Sequence, residues 1–274
     1  MTVTAFRALH HDRAPGDALV LPGPWDAGSA RAFTEAGFPA LATPSAGVAA
    51  ALGYEDGHTP ADEMFAAVAR IVRSVDVPVS ADVESGYGLP PKELVARILD
   101  TGAVGCNLED SDSATQGLKD PRFHADWLAE VRAEAGDQLF INARVDSFIR
   151  GVSDPEEVIT RARLYVAAGA DCVFPIAVPP ERLPLLRAEL EGPINVVPMP
   201  GGVPVAELGA LGATRITFGP FLHGRAMAAV GEIARDPRLT GRSARAASGM
   251  PSAPSKGRTV TSSGARPSTS PRSP

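Results

Sequence analysis

Residues Val79–Gly88 read VSADVESGYG, an apolar stretch that ends in two carboxylates and a glycine-flanked tyrosine. Side chains two apart on a strand share a face, so this pattern predicts Ser80, Asp82 and Glu84 on one side. Two acids side by side at the mouth of a buried strand repel each other. The arrangement is tolerated when a cation sits between them or when one acid is protonated for chemistry. A second acidic pair, Glu109 and Asp110, lies in GCNLEDS at 105–111. A third polar mouth follows in INARVDSF at 141–148, where Asn142, Arg144 and Asp146 share a face. Asp56 and His58 stand on the loop YEDGHTP at 54–60.

Asp56, Asp82, Glu84 and Glu109 offer only hard oxygen donors, which suit Mg²⁺ or Mn²⁺. Magnesium keeps several waters and takes one or two carboxylates directly, so one direct ligand, Asp82, is expected, with the other acids holding metal waters. The plainer alternative is helix caps and surface acids, which fits Asp110 and Asp112 better than the paired Asp82 and Glu84. Arg144 is the natural partner of a substrate carboxylate, because its planar fork is always charged and binds in two places. An internal salt bridge to Glu109 or Asp146 is its alternative role. Asn195 is a further candidate donor to substrate. His10, His11 and His124 fall in polar or helical surroundings and read as surface residues, whereas His58 and His223 are within reach of the acidic rim. Cys106 and Cys172 sit inside apolar runs and read as small buried hydrophobes.

These residues need a scaffold that brings consecutive strand ends together. Strands are predicted at Ala18–Pro24, Ala40–Pro44, Pro78–Val83, Gly105–Glu109, Leu139–Val145, Cys172–Val178, Ile194–Pro198 and Arg215–Gly219, each followed by a helical stretch. Asp26 is placed as the N-cap of the first of these helices, with Gly37 as its stop. Thr59-Pro60 is placed at the cap and first turn of another. Strands alternating with helices give parallel pairing through right-handed crossovers. Eight such units predict a closed (β/α)₈ TIM barrel over residues 1–239, with the active site at the C-terminal strand ends. The turn after the first strand, PGPWDAGSA, lacks the glycine spacing of a dinucleotide fold.

The chain has 274 residues and a net charge of −6. Residues 240–274 hold six bases and no acid, which leaves −12 for residues 1–239. That acidic body disfavours nucleic acid as a partner. The tail, rich in Ser, Pro and Arg, is too poor in apolar residues to offset its ordering entropy and is expected to be disordered. No run of eighteen apolar residues exists, and the first residues lack a signal pattern, so a cytoplasmic protein without membrane contact is expected.

Residues 6–235 resemble the isocitrate lyase and phosphoenolpyruvate mutase superfamily. The resemblance is carried by FRALH, LVLPGPWDAGSARAFTEAGFPALATPSAGVAAALGYEDG, VSADVESGYG, NLEDS, INARVDSF and VAELGALGATRITFGP. It implies a Mg²⁺-dependent barrel enzyme that makes or breaks a C–C or P–C bond beside a carbonyl, through an enolate. By motif position, Ser45, Ala46 and Gly47 would hold the carboxylate and oxo group of a small oxo or hydroxy acid, with Trp25 also at the substrate. Asp56, Asp82, Glu84 and Glu109 would organise the metal, and Arg144 would bind substrate. A homotetramer is also implied. The segment DSDSATQGLKDP lacks the Lys-Lys-Cys-Gly-His loop of isocitrate and methylisocitrate lyases, so tricarboxylate cleavage of that kind is not expected. A glutamate that lyases place in strand six is Ile176 here. The metal and enolate half of the site remains, with Tyr54, His58 or a metal-bound water as proton donor.

The first expectation is therefore a lyase that performs retro-aldol cleavage or decarboxylation. Hydrolysis or mutation of a P–C bond is the alternative within the family. Two further readings are an aldolase or isomerase that binds a phosphate at MPGGV (199–203) and TFGPF (217–221), and a barrel without catalysis. The retained acids and Arg144 count against both.

Overall fold

The computed structural model describes residues 2–14, 16–112, 115 and 117–240. The tail beyond 240 and Gln116 of the DSDSATQGLKDP segment lie outside the described residues. One compact unit covers Met1–Ala229, and a second begins at Val230.

Eight parallel strands form: β1 (Leu19–Val20), β2 (Leu41–Ala42), β3 (Val79–Asp82), β4 (Gly105–Glu109), β5 (Phe140–Val145), β6 (Cys172–Pro175), β7 (Asn195–Val196) and β8 (Arg215–Ile216). They run in the orders β2-β3-β4-β5-β6 and β1-β8-β7. Two seams close the ring into the expected (β/α)₈ barrel. The Ala42 amide donates to Pro22 O at 3.2 Å between β2 and β1. Between β6 and β7, Val173 bridges Ile194 in parallel, and its amide donates to Pro193 O at 3.1 Å.

The helices among the described residues are α1 (Val3–His11), α2 (Ala27–Glu35), α3 (Ser45–Leu52), α4 (Ala61–Val72), α5 (Pro91–Asp100), α6 (Pro121–Ala135), α7 (Pro155–Ala167), α8 (Leu183–Glu189), α9 (Val205–Ala210), α10 (Phe221–Arg235) and α11 (Pro237–Thr240). Asp26 caps α2 as expected, in a reciprocal box with Ser29. Pro60, not Thr59, is the N-cap of α4. No helix among the described residues is long and apolar enough to cross a membrane.

Strand alternation separates two cores. Outward-facing Ile141, Ala143 and Val145 join the helices in a large apolar cluster. Inward-facing Phe140 and Cys172 join Phe6, Leu19, Leu21 and Ala40 in a smaller cluster. Helix α1, which the strand pattern did not predict, inserts Phe6 there. Gly105 permits the approach, because a Cβ at that position would meet Phe140 O at 2.8 Å and Phe6 Cε1 at 3.3 Å.

Above this plug the barrel interior turns polar. Buried Arg215 donates to Ser80 Oγ and Asn107 Oδ1, both at 3.4 Å, and its guanidinium lies 5.9 Å from the ring centres of Phe6 and Phe140. Asn142 donates to Asn107 at 2.8 Å. One step further along the same strand faces come Asp82, Glu109 and Arg144, at the C-terminal end where barrel active sites sit.

Candidate active site

Asp82 is the last residue of β3 and is 8% exposed. Its Oδ2 accepts from the Ser45 amide at 3.4 Å and from Ser45 Oγ at 3.1 Å, and its Oδ1 accepts from the Glu84 amide at 3.2 Å. Ser45 opens α3, so the carboxylate rests on the positive end of that helix. The Asp82 amide donates to Thr43 Oγ1 at 3.1 Å, which ties β3 to the end of β2.

The strand does not continue to Glu84, which corrects the expectation that simple alternation puts Asp82 and Glu84 on one strand face. Glu84 and Tyr87 have φ of 53° and 54°, and the adjoining Gly86 and Gly88 have φ of 87° and 68°. Left-handed backbone at a non-glycine residue costs about 1–3 kcal/mol and gathers at functional sites. Gly86 is also packed, since a Cβ there would meet Trp127 at 3.0 Å.

Arg144 sits at the centre of an ionic knot. Its Nε and Nη2 bind Asp146 Oδ1 and Oδ2 at 2.6 and 2.9 Å, and its Nη1 binds Glu109 Oε2 at 2.7 Å. The sheet register pairs Glu109 with Arg144 directly. Asp146 is fully buried and also accepts from Ser111 Oγ. Behind it, Asp110 accepts from the Asp146 amide at 2.8 Å, Tyr165 Oη at 2.7 Å and Arg161 Nη1 at 3.2 Å. Asp110 is therefore a buried bracket and not a helix cap. Arg161 and Tyr165 were missed in the sequence. Their one signal is that two polar residues at i, i+4 occupy the buried side of α7.

The charges in this site do not balance. Burial pushes the Asp82 carboxyl up against the pull of Arg144. Burial, then Asp82 and Asp56, push Glu84 up to about 7. Burial also raises Glu109, opposed by Arg144 and reinforced by Asp146, Asp82 and Glu84. Glu84 Oε1 is buried without a hydrogen-bond partner among the described residues.

Two cavities meet here and share Ser45, Asp56, Arg144 and Ile149. The first, about 190 Å³, adds Ala46 and Asp82, and the second, about 320 Å³, adds His58, Glu84 and Glu109. The other candidates lie elsewhere. Tyr54 donates its hydroxyl to Glu63 of α4 at 2.5 Å and lines neither cavity. Asn195 is buried and exchanges hydrogen bonds with Thr217 at 3.2 Å. Trp25 packs edge-on against His223, with ring centres 5.2 Å apart. Gly47 faces Pro44 and His223, where a Cβ would stand 2.9 Å from Pro44 Cγ. His10 and His124 are not surface residues, being 5% and 0% exposed. His10 stacks on Phe140 and His124 on Trp127, so aromatic partners bury them.

The donor set suits a hard divalent cation. Among the described residues no three His, Cys, Asp or Glu side chains enclose a ready-made ion site. A magnesium ion does not require one, because waters complete its shell. Asp82 retains unused lone pairs, and the orphan oxygen of Glu84 supplies a second acceptor.

Residues 6–237 match the family described as phosphoenolpyruvate phosphomutase. An uncharacterized protein of Mycobacterium tuberculosis is 35% identical, over 84% of this chain and 88% of its own. A Corynebacterium glutamicum protein described as "Probable 2-methylisocitrate lyase 2" is 32% identical, over 69% of this chain and 64% of its own. A solved structure from Burkholderia cenocepacia, described as a "putative phosphonomutase", is 39% identical with a TM-score of 0.81, over 86% of this chain and 99% of its own. With that family match spanning the whole barrel, the chain belongs to the phosphoenolpyruvate mutase family, within the superfamily of phosphoenolpyruvate mutases and isocitrate lyases.

Proposed function

We propose that the protein is a Mg²⁺- or Mn²⁺-dependent lyase that cleaves a C–C bond of a small 2-oxo or 2-hydroxy acid, by retro-aldol cleavage or decarboxylation. The observation that carries this reading is the charge imbalance at the strand ends, where the guanidinium of Arg144 stands among Asp82, Glu84, Glu109 and Asp146. Asp82, Glu84, Glu109 and Asp56 would hold the ion directly or through water. A bound divalent ion would polarise the substrate's oxo group and stabilise the negative charge that develops on it.

The chain's own groups do the rest. Arg144 uses three of its five N–H donors on Asp146 and Glu109, which leaves two for a substrate carboxylate. The Ala46 amide at the start of α3, next to the Ser45 amide that holds Asp82, offers a second anchor for negative oxygen. His58, held through Nδ1 at 3.0 Å from Asp56 O, lines the second cavity and is the proton carrier we assign. Tyr54, bound to Glu63, is the weaker candidate.

Exposed apolar side chains on α10 support assembly into a homo-oligomer, a tetramer on the family resemblance. The buried free thiols Cys106 and Cys172 agree with a cytoplasmic setting. The likeness to the Burkholderia phosphonomutase structure supports P–C chemistry as the second reading.

The test is calorimetry and thermal melting with Mg²⁺ and oxalate, followed by a screen for pyruvate or glyoxylate release that includes phosphonopyruvate. Mg²⁺-dependent oxalate binding and oxo-acid release, both lost in Asp82→Ala, are expected. Activity that survives in Asp82→Ala refutes the assignment.

A further inference from the structure

The lining of the first cavity is of two kinds. Ser45, Asp82 and Arg144 are polar or charged. Phe174, Ile176, Val197 and Ile149 are apolar. The sheet register sets Phe174 beside Arg144, and Ile176, in the turn just beyond β6, lines the same cavity. Thr217, just past β8, also lines the cavity, and its hydroxyl is committed to Asn195. Among the described residues that line the cavity, Arg144 is the sole cation, and it already bridges two acids. Arg150 lines only the acidic second cavity, where its Nε donates to Ser111 Oγ at 3.1 Å. The first cavity, about 190 Å³, has room for a small acid.

This asymmetry, taken with the lyase reading on which it rests, selects a type of bond cleavage. A fragment held against Phe174, Ile176 and Val197 leaves best uncharged, because a carboxylate there is desolvated and the lining, among the described residues, offers no cation besides Arg144, which the oxo-acid head takes. If the departing half carried the carbanion, it would need its own carboxylate to stabilise it. If the oxo-acid head takes the electron pair, the departing half leaves as a neutral aldehyde or ketone.

We infer that the substrate class is a 4-hydroxy-2-oxo monocarboxylate with a short alkyl end, cleaved to pyruvate and an aldehyde. The C4 hydroxyl loses its proton and becomes the aldehyde carbonyl as the C3–C4 bond breaks. The bonding pair moves to the head, forming the enolate of pyruvate, and C3 takes up a proton. Atoms and charge balance with no oxidant or further reactant. Ile176 is the residue that sets the preference.

The experiment has a binding arm and a turnover arm, both with the full chain and Mg²⁺. By calorimetry, 2-oxopentanoate is compared with 2-oxoglutarate, which has the same length and a terminal carboxylate. In turnover, a 4-hydroxy-2-oxo acid with an ethyl end is compared with its counterpart bearing a carboxylate end, and with a 2,3-dialkylmalate. The alkyl ligand should bind at least about tenfold tighter and the alkyl substrate should be preferred about 100-fold. In Ile176→Arg that preference should shrink or invert. Equal or better handling of the carboxylate-ended compounds by the unaltered protein overturns the inference, whether or not the variant folds. Cleavage of the dialkylmalate alone overturns the inference and leaves the lyase reading standing. Absence of both Mg²⁺-dependent oxalate binding and any oxo-acid release overturns both.

Discussion

Arg144 and Asp146 face each other two residues apart, joined by parallel contacts of 2.6 and 2.9 Å that lock the guanidinium plane. Asp146 is itself fixed, since its amide is held by Asp110, and Tyr165 and Arg161 hold Asp110 in turn. The chain from α7 to the cavity thus runs through five residues, of which Arg144 alone lines it. Its effect is to present the free N–H groups of Arg144 in one direction.

Asp146→Asn tests this. The amide retains the shape but removes the charge and one acceptor. Breaking a buried pair costs about 3–5 kcal/mol of stability. Misplacing a binding group by about 1 Å costs on the order of 100-fold in rate. The expected outcome is a lower melting temperature and a fall in kcat/KM of that order. Arg144→Lys should behave similarly, because an ammonium cannot reproduce the fork. Denaturant melts and oxalate calorimetry on both variants measure the two effects.

Glu84→Gln should separate stability from metal binding. In the unfolded chain a glutamate titrates near 4.5, and burial beside Asp82 and Asp56 raises Glu84 to about 7 in the folded protein. The folded state therefore binds the extra proton between those values. Its destabilising effect is absent below 4.5, grows as pH rises, and is complete above 7. The glutamine variant is expected to be more stable at pH 8 by about 1–2 kcal/mol, allowing for the part of the site open to water. That corresponds to a rise of about 2–8 °C. At pH 5 the gain should be small. Mg²⁺ affinity should fall, and in the parent protein it should weaken as pH drops below 7.

Much of this was legible from the chain. Buried parallel strands read as apolar runs, so all eight were located, and β4 was found with its observed limits. The carboxylates marked the functional end because charge at the mouth of such a strand has few purely structural uses. What escaped depended on long-range packing. Nothing local in VTAFRALHH announces that Phe6 fills the barrel floor. His10 and His124 looked solvated because the aromatic rings that bury them arrive from distant segments. The alternation rule failed at Glu84 because the strand ends in a left-handed turn that Gly86 and Gly88 only partly disclose. Asp110 passed for a cap because its three donors come from residues 146, 161 and 165.

Helix α10 carries Met227, Val230 and Ile233 at a spacing of three, 44%, 53% and 58% exposed. Residues three apart lie on one helix face, and an exposed apolar stripe of this kind marks an interaction surface. The double variant Val230→Asp, Ile233→Asp should lower the oligomeric state in light scattering at micromolar concentration. An unchanged mass would count against this face as a self-association surface.

His124 gives the acid limb of stability. The ring is fully buried between Trp127 and Tyr165, and neither nitrogen has a hydrogen-bond partner among the described residues. Burial, then Lys119 and Arg161, lower it from 6.5 to about 3. As pH falls below 6.5 the unfolded chain takes up a proton that the folded chain refuses, so stability drops from 6.5 down to about 3. This sign is opposite to that of Glu84. His124→Phe keeps the aromatic packing and removes both the titration and the orphan nitrogens. An unsatisfied buried polar group costs about 1–3 kcal/mol, so the variant should be more stable at pH 8 and should gain further at pH 5. Urea melts at the two values measure the difference. A gain of equal size at both would mean that the ring is reached by protons in the folded state.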